Sequence, residues 1–308
     1  MKKLIIGTRG SNLALNQAKS VKEKISKTFP DIKIAIKTIK TEGDIDLKTP
    51  IRNILDKGFY TKEIEKALLD SSINIAVHSM KDLPVELDSK FQIGAVLKRK
   101  SPMDVILSNK YKTINEFPAT PTIAVGSLRR RLQVKNIFPN VKLVDIRGNI
   151  ETRIKKLVDN KWDGLIMAKA AIERLSIKHM FYEFNVDEMI PAPCQGIVAI
   201  ENLSSDIGLV PILDAINDNR TFKISSVERD IAKKLEGGCK VPVGCLATIK
   251  DSILHINAYI ANNDGSMTIK EQISADLKEI DTNSIVNKLI SNMSNNGLND
   301  ILNQRSKN

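Results

Sequence analysis

Cys239 sits behind two glycines in the stretch Glu236-Gly237-Gly238-Cys239-Lys240-Val241-Pro242-Val243-Gly244. The glycines allow a tight turn that bulky atoms can approach. Lys240 places a cation beside the sulfur, which favours thiolate over thiol. The chemistry open to such a residue is nucleophilic attack or covalent anchoring. Taken alone, these nine residues fit a packed structural thiol better, because free cysteines are more often inert than reactive. The rest of the chain has to decide.

Arginine supplies the second signal. The chain has 12 arginines against 35 lysines, and six of the 12 fall between residues 129 and 174. Guanidinium groups suit bidentate binding of carboxylate or phosphate. In Ser127-Leu128-Arg129-Arg130-Arg131 the arginines open a helix, where they oppose its macrodipole unless an anion docks on the free N–H groups. Arg147-Gly148-Asn149 and Arg153 repeat the arrangement at the next helix, with Asn149 as cap. Neither phosphate-loop pattern is present, and carboxylates fit these sites at least as well. Asp82 is the lone carboxylate of the turn His78-Ser79-Met80-Lys81-Asp82-Leu83-Pro84. Among cationic groups it would stay ionised and could stabilise a developing cation. His78 reads as a structural histidine at a strand end.

These segments share one position, immediately after an apolar strand. Strands are expected at residues 4–6, 32–36, 73–77, 92–97, 105–108, 122–125, 141–146, 165–168 and 197–200. Helices are expected to start near residue 11 with Ser11 or Asn12 as cap, at 61–69, at 128, at 150–159, and near 170–175, 207–217 and 222–235. Alternating strands and helices imply parallel sheets covered on both faces, and ligands of such sheets bind beyond the strands' carboxyl ends. Lys98-Arg99-Lys100-Ser101-Pro102 and Pro191-Ala192-Pro193-Cys194-Gln195-Gly196 read as crossings between two lobes. Residues 43–58 read as a long surface loop serving as a lid. Three hairpin strands (246–249, 253–260, 267–273) and a helix near 284–293 form a separate ending. The expected fold is α/β, with lobe 1 at 1–98 plus 197–217, lobe 2 at 101–193, and a C-terminal α+β domain at 219–308 carrying Cys239.

Composition agrees with a globular protein of this size: 308 residues, 42% hydrophobic, 27% charged. The net charge of +11 points to an anionic partner. Three cysteines without a C-x-x-C pair and three scattered histidines indicate neither a disulfide framework nor a metal site. No apolar run suits a membrane span. The N-terminal apolar run stops after three residues, too short for a secretory signal. The cytoplasm is the expected location.

The ordered set Thr8-Arg9-Gly10-Ser11-x-Leu13-Ala14, the His78–Pro84 turn, Ser127-Leu128-Arg129-Arg130, Arg147-Gly148-Asn149 and the Gly-Gly-Cys239 stretch closely resembles the porphobilinogen deaminase (hydroxymethylbilane synthase) family. The resemblance covers essentially the whole chain. It implies two lobes like those of periplasmic binding proteins, an active-site cleft between them and a small α+β domain. It implies a transferase of tetrapyrrole biosynthesis that condenses four porphobilinogen molecules head to tail, loses ammonia at each step and releases linear hydroxymethylbilane. A dipyrromethane cofactor would be attached to Cys239 by a thioether. Ammonia loss leaves an electrophilic azafulvene, and each pyrrole carries acetate and propionate, which would explain the cations. By the same resemblance Lys81, Asp82, Ser127, Arg129, Arg130 and Arg153 would hold the cofactor. Arg9, Ser11, Gln17, Lys57, Arg147 and Arg174 would bind substrate, and Asp82 would be catalytic. A monomer is implied.

Two departures from the family pattern stand out. Ala124-Val125 replaces a polar pair ahead of the Ser127 helix, removing a hydroxyl. Leu55-Asp56-Lys57-Gly58-Phe59-Tyr60 replaces Gly-Gly-Lys-Gly-Leu-Phe, which predicts a stiffer lid. Two other functions compete. A non-enzymatic two-lobed carboxylate-binding protein explains the arginines but not the Gly-Gly-Cys turn or the third domain. A nucleic-acid binder would carry aromatic residues among its basic segments, yet aromatics are 4% of the chain and the arginine segments contain none.

Overall fold

The computed structural model describes residues 2–45, 59–235 and 242–304. Cys239 and Lys57 lie outside the described residues, as does most of the expected lid.

The first lobe begins with β1 (Lys3–Thr8), α1 (Asn12–Thr28) and β2 (Lys33–Thr38). Ser11 caps α1 as expected, its Oγ accepting from Ala14 N at 3.3 Å. Ala18, Val21 and Ile25 recur at helical spacing on its buried face. There follow α2 (Glu42–Ile45), α3 (Lys62–Leu69), β3 (Ile75–Ser79), a 3-10 turn at Met80–Asp82 and β4 (Phe91–Val96). The short α2 occupies the start of the stretch expected to be loop. The second lobe contains β5 (Asp104–Leu107), β6 (Thr122–Ala124), α4 (Leu128–Ile137), β7 (Lys142–Val144), α5 (Ile150–Asp159), β8 (Gly164–Ala168), α6 (Lys169–Arg174) and β9 (Phe181–Glu183). The chain then returns through β10 (Val198–Leu203) and α7 (Val210–Ile216).

Each lobe holds one five-stranded sheet, ordered β2-β1-β3-β10-β4 and β7-β6-β8-β5-β9. The expectation of parallel sheets needs correction, because both are mixed. β10 runs antiparallel to β3 and β4, and β5 runs antiparallel to β8 and β9. The reason is the double crossing: each lobe receives one strand as the chain arrives from the other, entering from the opposite end. Fully buried Leu4, Ile6, Val21 and Ile75 anchor the first lobe, and Ile106, Ile123, Val134 and Phe184 the second, each worth about 1.5–3 kcal/mol of burial.

The crossings pass so closely that a Cβ on Gly196 would lie 2.6 Å from the Lys100 carbonyl oxygen, and its φ is +88°. Only glycine fits there. The C-terminal domain comprises α8 (Asn219–Lys234), the meander β11 (Val243–Lys250), β12 (Ile253–Ala261) and β13 (Thr268–Asp276), then α9 (Thr282–Asn295) and α10 (Leu298–Asn303). From α8, fully buried Glu228 accepts from Arg99 Nη1 at 2.6 Å, Cys194 N at 2.5 Å and Ala247 N at 2.7 Å. One carboxylate thus ties both crossings to the third domain.

Candidate active site

The carboxyl ends of β1, β3, β6 and β7 face one another across a cleft of about 1410 Å³. The segments that follow them supply Arg9 and Ser11, Lys81 and Asp82, Ser127 with Arg129 and Arg130, and Arg147 with Arg153. All nine were expected site residues, and the fold brings them together. Gln17, nearly fully buried, lines a side pocket with Arg9, Ser11 and Asp82, and its Nε2 donates to Ser79 Oγ at 2.9 Å. Arg174 is different. It donates to the Gly196 carbonyl at 2.7 Å and is not among the residues lining the cleft.

The arginine pair is built around a residue that sequence reasoning missed. Asp104, fully buried, accepts from Arg129 Nη2 at 2.8 Å through Oδ2, and from Arg130 Nε and Nη2 at 3.0 and 2.7 Å through Oδ1. Burial alone would raise the Asp104 pKa, but Arg129 and then Arg130 hold it at about 2. Gln195, also missed, completes the cluster from the second crossing. Its Nε2 donates to Asp104 Oδ1 at 3.0 Å and to the Pro102 carbonyl at 2.7 Å. Its Oε1 accepts from Lys81 Nζ and Arg130 Nη2, each at 3.2 Å. Asp104 lies one residue ahead of the strand expected at 105–108, and Gln195 inside the expected crossing Pro191–Gly196.

Three cations around one buried carboxylate leave a surplus of positive charge. Lys81 is pushed down to about 8 by burial and then by Arg130, with Asp82 and Asp104 opposing. Arg153 is pushed down to about 10 by burial and then by Arg130. Its Nε donates to the Gly148 carbonyl at 2.7 Å. Ser127 and Asn149 occupy the N-cap positions of α4 and α5, yet neither side chain bonds to its helix. The helix starts therefore keep N–H donors for an incoming anion. Around the whole cleft, ten cationic side chains face four carboxylates among the described residues.

Arg9 is held by Asp44, its Nη2 at 2.5 Å and Nε at 3.2 Å from Oδ1. Burial lowers the Arg9 pKa, but Asp44 outweighs it and the net shift is upward. The Tyr60 ring packs 4.3 Å from the Arg9 guanidinium carbon. His78 is buried against Glu201, with Nε2 and Oε2 2.9 Å apart, as a structural histidine would be. Ala124 and Val125 are fully buried, so the replaced polar pair belongs to the core here. Cys194 and Cys245 are buried, and burial followed by the Glu228 charge pushes both thiols up. Ala232, Lys233 and Val243, which lie on either side of Cys239 in the chain, line the cleft.

Two α/β lobes closing on a cationic cleft, with a third domain reaching its rim, define a protein that holds a polyanionic ligand between its lobes. Residues 4–209 match the family described as "Porphobilinogen deaminase, dipyromethane cofactor binding domain", and residues 222–295 match "Porphobilinogen deaminase, C-terminal domain". A porphobilinogen deaminase of Syntrophomonas wolfei is 45% identical over 266 residues, covering 86% of this chain and 87% of its own. That of Aliarcobacter butzleri is 40% identical over 286 residues, covering 92% and 91%. That of Ruthia magnifica is 36% identical over 293 residues, covering 94% and 96%. The chain belongs to the porphobilinogen deaminase family.

Proposed function

We propose that this protein is a hydroxymethylbilane synthase, a transferase that condenses four porphobilinogen molecules with loss of ammonia and releases the linear tetrapyrrole by hydrolysis. The observation that carries the reading is the cleft's charge: among the described residues, ten cations against four carboxylates, at strand ends of two lobes, with residues on either side of Cys239 lining it. A growing chain of pyrroles with acetate and propionate arms supplies the missing negative charge.

The residues also fit a dipyrromethane cofactor. Cationic Lys81 and Arg153 and the two helix starts at Ser127 and Asn149 all present donors to the cleft, and donors in such surroundings suit carboxylates. Cys239 would anchor the group, and Lys81, Asp82, Ser127, Arg129, Arg130 and Arg153 would hold it. When bound, it supplies the nucleophilic pyrrole carbon on which the product is built. The chain's own residues do the rest. Arg9, Ser11, Gln17, Arg147 and Lys57 orient the substrate's carboxylates, and Asp82 faces the positive charge that develops as the amine leaves. Arg174 would act on substrate indirectly, through the crossing it braces.

The reading keeps lobe 1 at 1–98 plus 197–217, lobe 2 at 101–193 and the third domain at 219–308, which sheet membership supports. It takes the protein as a cytoplasmic monomer acting on a small molecule and not on nucleic acid. Two buried free thiols suit a reducing compartment, and among the described residues six arginines line the cleft. Among the described residues, no helix is long and apolar enough to cross a membrane. The test is intact mass of the purified protein. Wild type should carry an added dipyrromethane that Cys239→Ser lacks, and an unmodified yet fully active wild type would sink the covalent-cofactor reading.

A further inference from the structure

Tyr60 belongs to the first lobe but touches the substrate-side arginines of both lobes. Its ring lies 4.3 Å from the Arg9 guanidinium carbon, and its hydroxyl accepts from Arg147 Nη2 at 3.2 Å. The ring is seated by its neighbours. Phe59 packs against it edge-on with centroids 5.1 Å apart, and a Cβ on Gly43 would come within 2.1 Å of Tyr60 Cε1. Gly43 is therefore required for the ring to lie where it does. Arg9 is also held by Asp44, which accepts from Thr41 Oγ1 at 2.9 Å as well. A continuous path Asp44–Arg9–Tyr60–Arg147 thus spans the cleft. Beside it, Asn12 Nδ2 of lobe 1 donates to Glu151 Oε1 of lobe 2 at 2.8 Å.

We propose that Tyr60 is a positioning residue for substrate binding, its ring fixing Arg9 and its hydroxyl fixing Arg147 at the separation that receives porphobilinogen's carboxylates. Two guanidinium groups facing one gap repel each other, and an aromatic face with an acceptor at its tip is a neutral spacer that attracts both. The bond to the hydroxyl takes one of the five donors a guanidinium carries. The inference rests on the assignment of Arg9 and Arg147 to substrate.

The test compares Tyr60→Phe with Tyr60→Leu in the holo protein. Tyr60→Phe keeps the ring over Arg9 and removes the acceptor for Arg147. Its KM for porphobilinogen should rise about three- to tenfold, the worth of one hydrogen bond, with kcat within about twofold of wild type. Tyr60→Leu should raise KM further. Calorimetric binding of a pyrrole bearing acetate and propionate but no aminomethyl group should weaken by the same factors. In an Arg147→Gln background, Tyr60→Phe should have no further effect. A wild-type KM and affinity in Tyr60→Phe, or a loss confined to kcat, overturns the proposal. If wild-type holo protein neither binds the pyrrole nor consumes porphobilinogen, the proposed function falls first and this inference with it.

Discussion

Lys81 Nζ and Gln195 Oε1 lie 3.2 Å apart, so the Met80–Asp82 turn of the first lobe meets the crossing that also contacts Asp104 in the second. The contact leaves Lys81 with a neutral partner among arginines, and burial with Arg130 holds its pKa at about 8 against an ordinary 10.5. In the free protein the Lys81 charge is therefore lost as pH rises through about 8. A carboxylate docked beside it would restore the charge, because an opposite charge favours the ionised form.

Binding of a pyrrole dicarboxylate should accordingly take up protons between about pH 8 and 10.5. Calorimetry of the Cys239→Ser protein in buffers of different ionisation heat measures this uptake. Lys81→Met should abolish it, and buffer-independent heats in the wild-type Lys81 background would contradict it.

Asp104, buried behind the cleft, should matter strongly for stability. Removing its charge leaves Arg129 and Arg130, 4% and 7% exposed, buried without their shared carboxylate. Asp104→Asn should cost about 3–5 kcal/mol by urea unfolding at neutral pH. The sign of the pH effect follows from its lowered pKa. Asp104 stabilises the fold above its ordinary 3.8, and that contribution disappears as pH falls toward about 2. The gap between wild type and variant should close over that interval.

Asp104 also marks the limit of what the chain alone reveals. Periodicity and turn residues were enough for the capped start of α1, for the whole of α5 and for the strand ends that carry Arg9, Asp82, Arg129 and Arg147, because those signals are local. A buried aspartate opening an apolar strand has no local signal, since its partners lie 25 and 26 residues away. Gln195 depends on contacts 65 to 114 residues distant and was invisible for the same reason. The mixed sheets were missed because strand direction follows from the crossings and not from composition. Two short elements, β9 and α10, are too brief for a period to declare itself.

The three cysteines should separate by reactivity. Cys194 and Cys245 are fully or almost fully buried, with thiols pushed up by burial and the Glu228 charge, so little thiolate forms near neutral pH. In native protein freed of cofactor, iodoacetamide should modify Cys239 first, located by peptide mass mapping. Denaturation should expose the other two. Labelling of Cys194 or Cys245 ahead of Cys239 in folded protein would count against Cys239 as the anchor.

Asp82 gives the sharpest division between holding and reacting. It lines both the cleft and the side pocket that contains Arg9 and Gln17, and its charge acts on Arg9, Lys81 and Arg153. Cofactor retention draws on the whole ring of cations, whereas a developing positive charge on the reacting pyrrole has Asp82 as the carboxylate of its turn. Asp82→Ala should still carry dipyrromethane by intact mass, because the arginines and Lys81 are untouched. Its kcat should fall about a hundredfold or more, the scale seen when one preorganised electrostatic partner is removed. KM should change far less, since the lost interaction is made mainly as charge develops. A variant with near-normal kcat would remove Asp82 from the chemistry, while one without cofactor would move it from catalysis to assembly of the site.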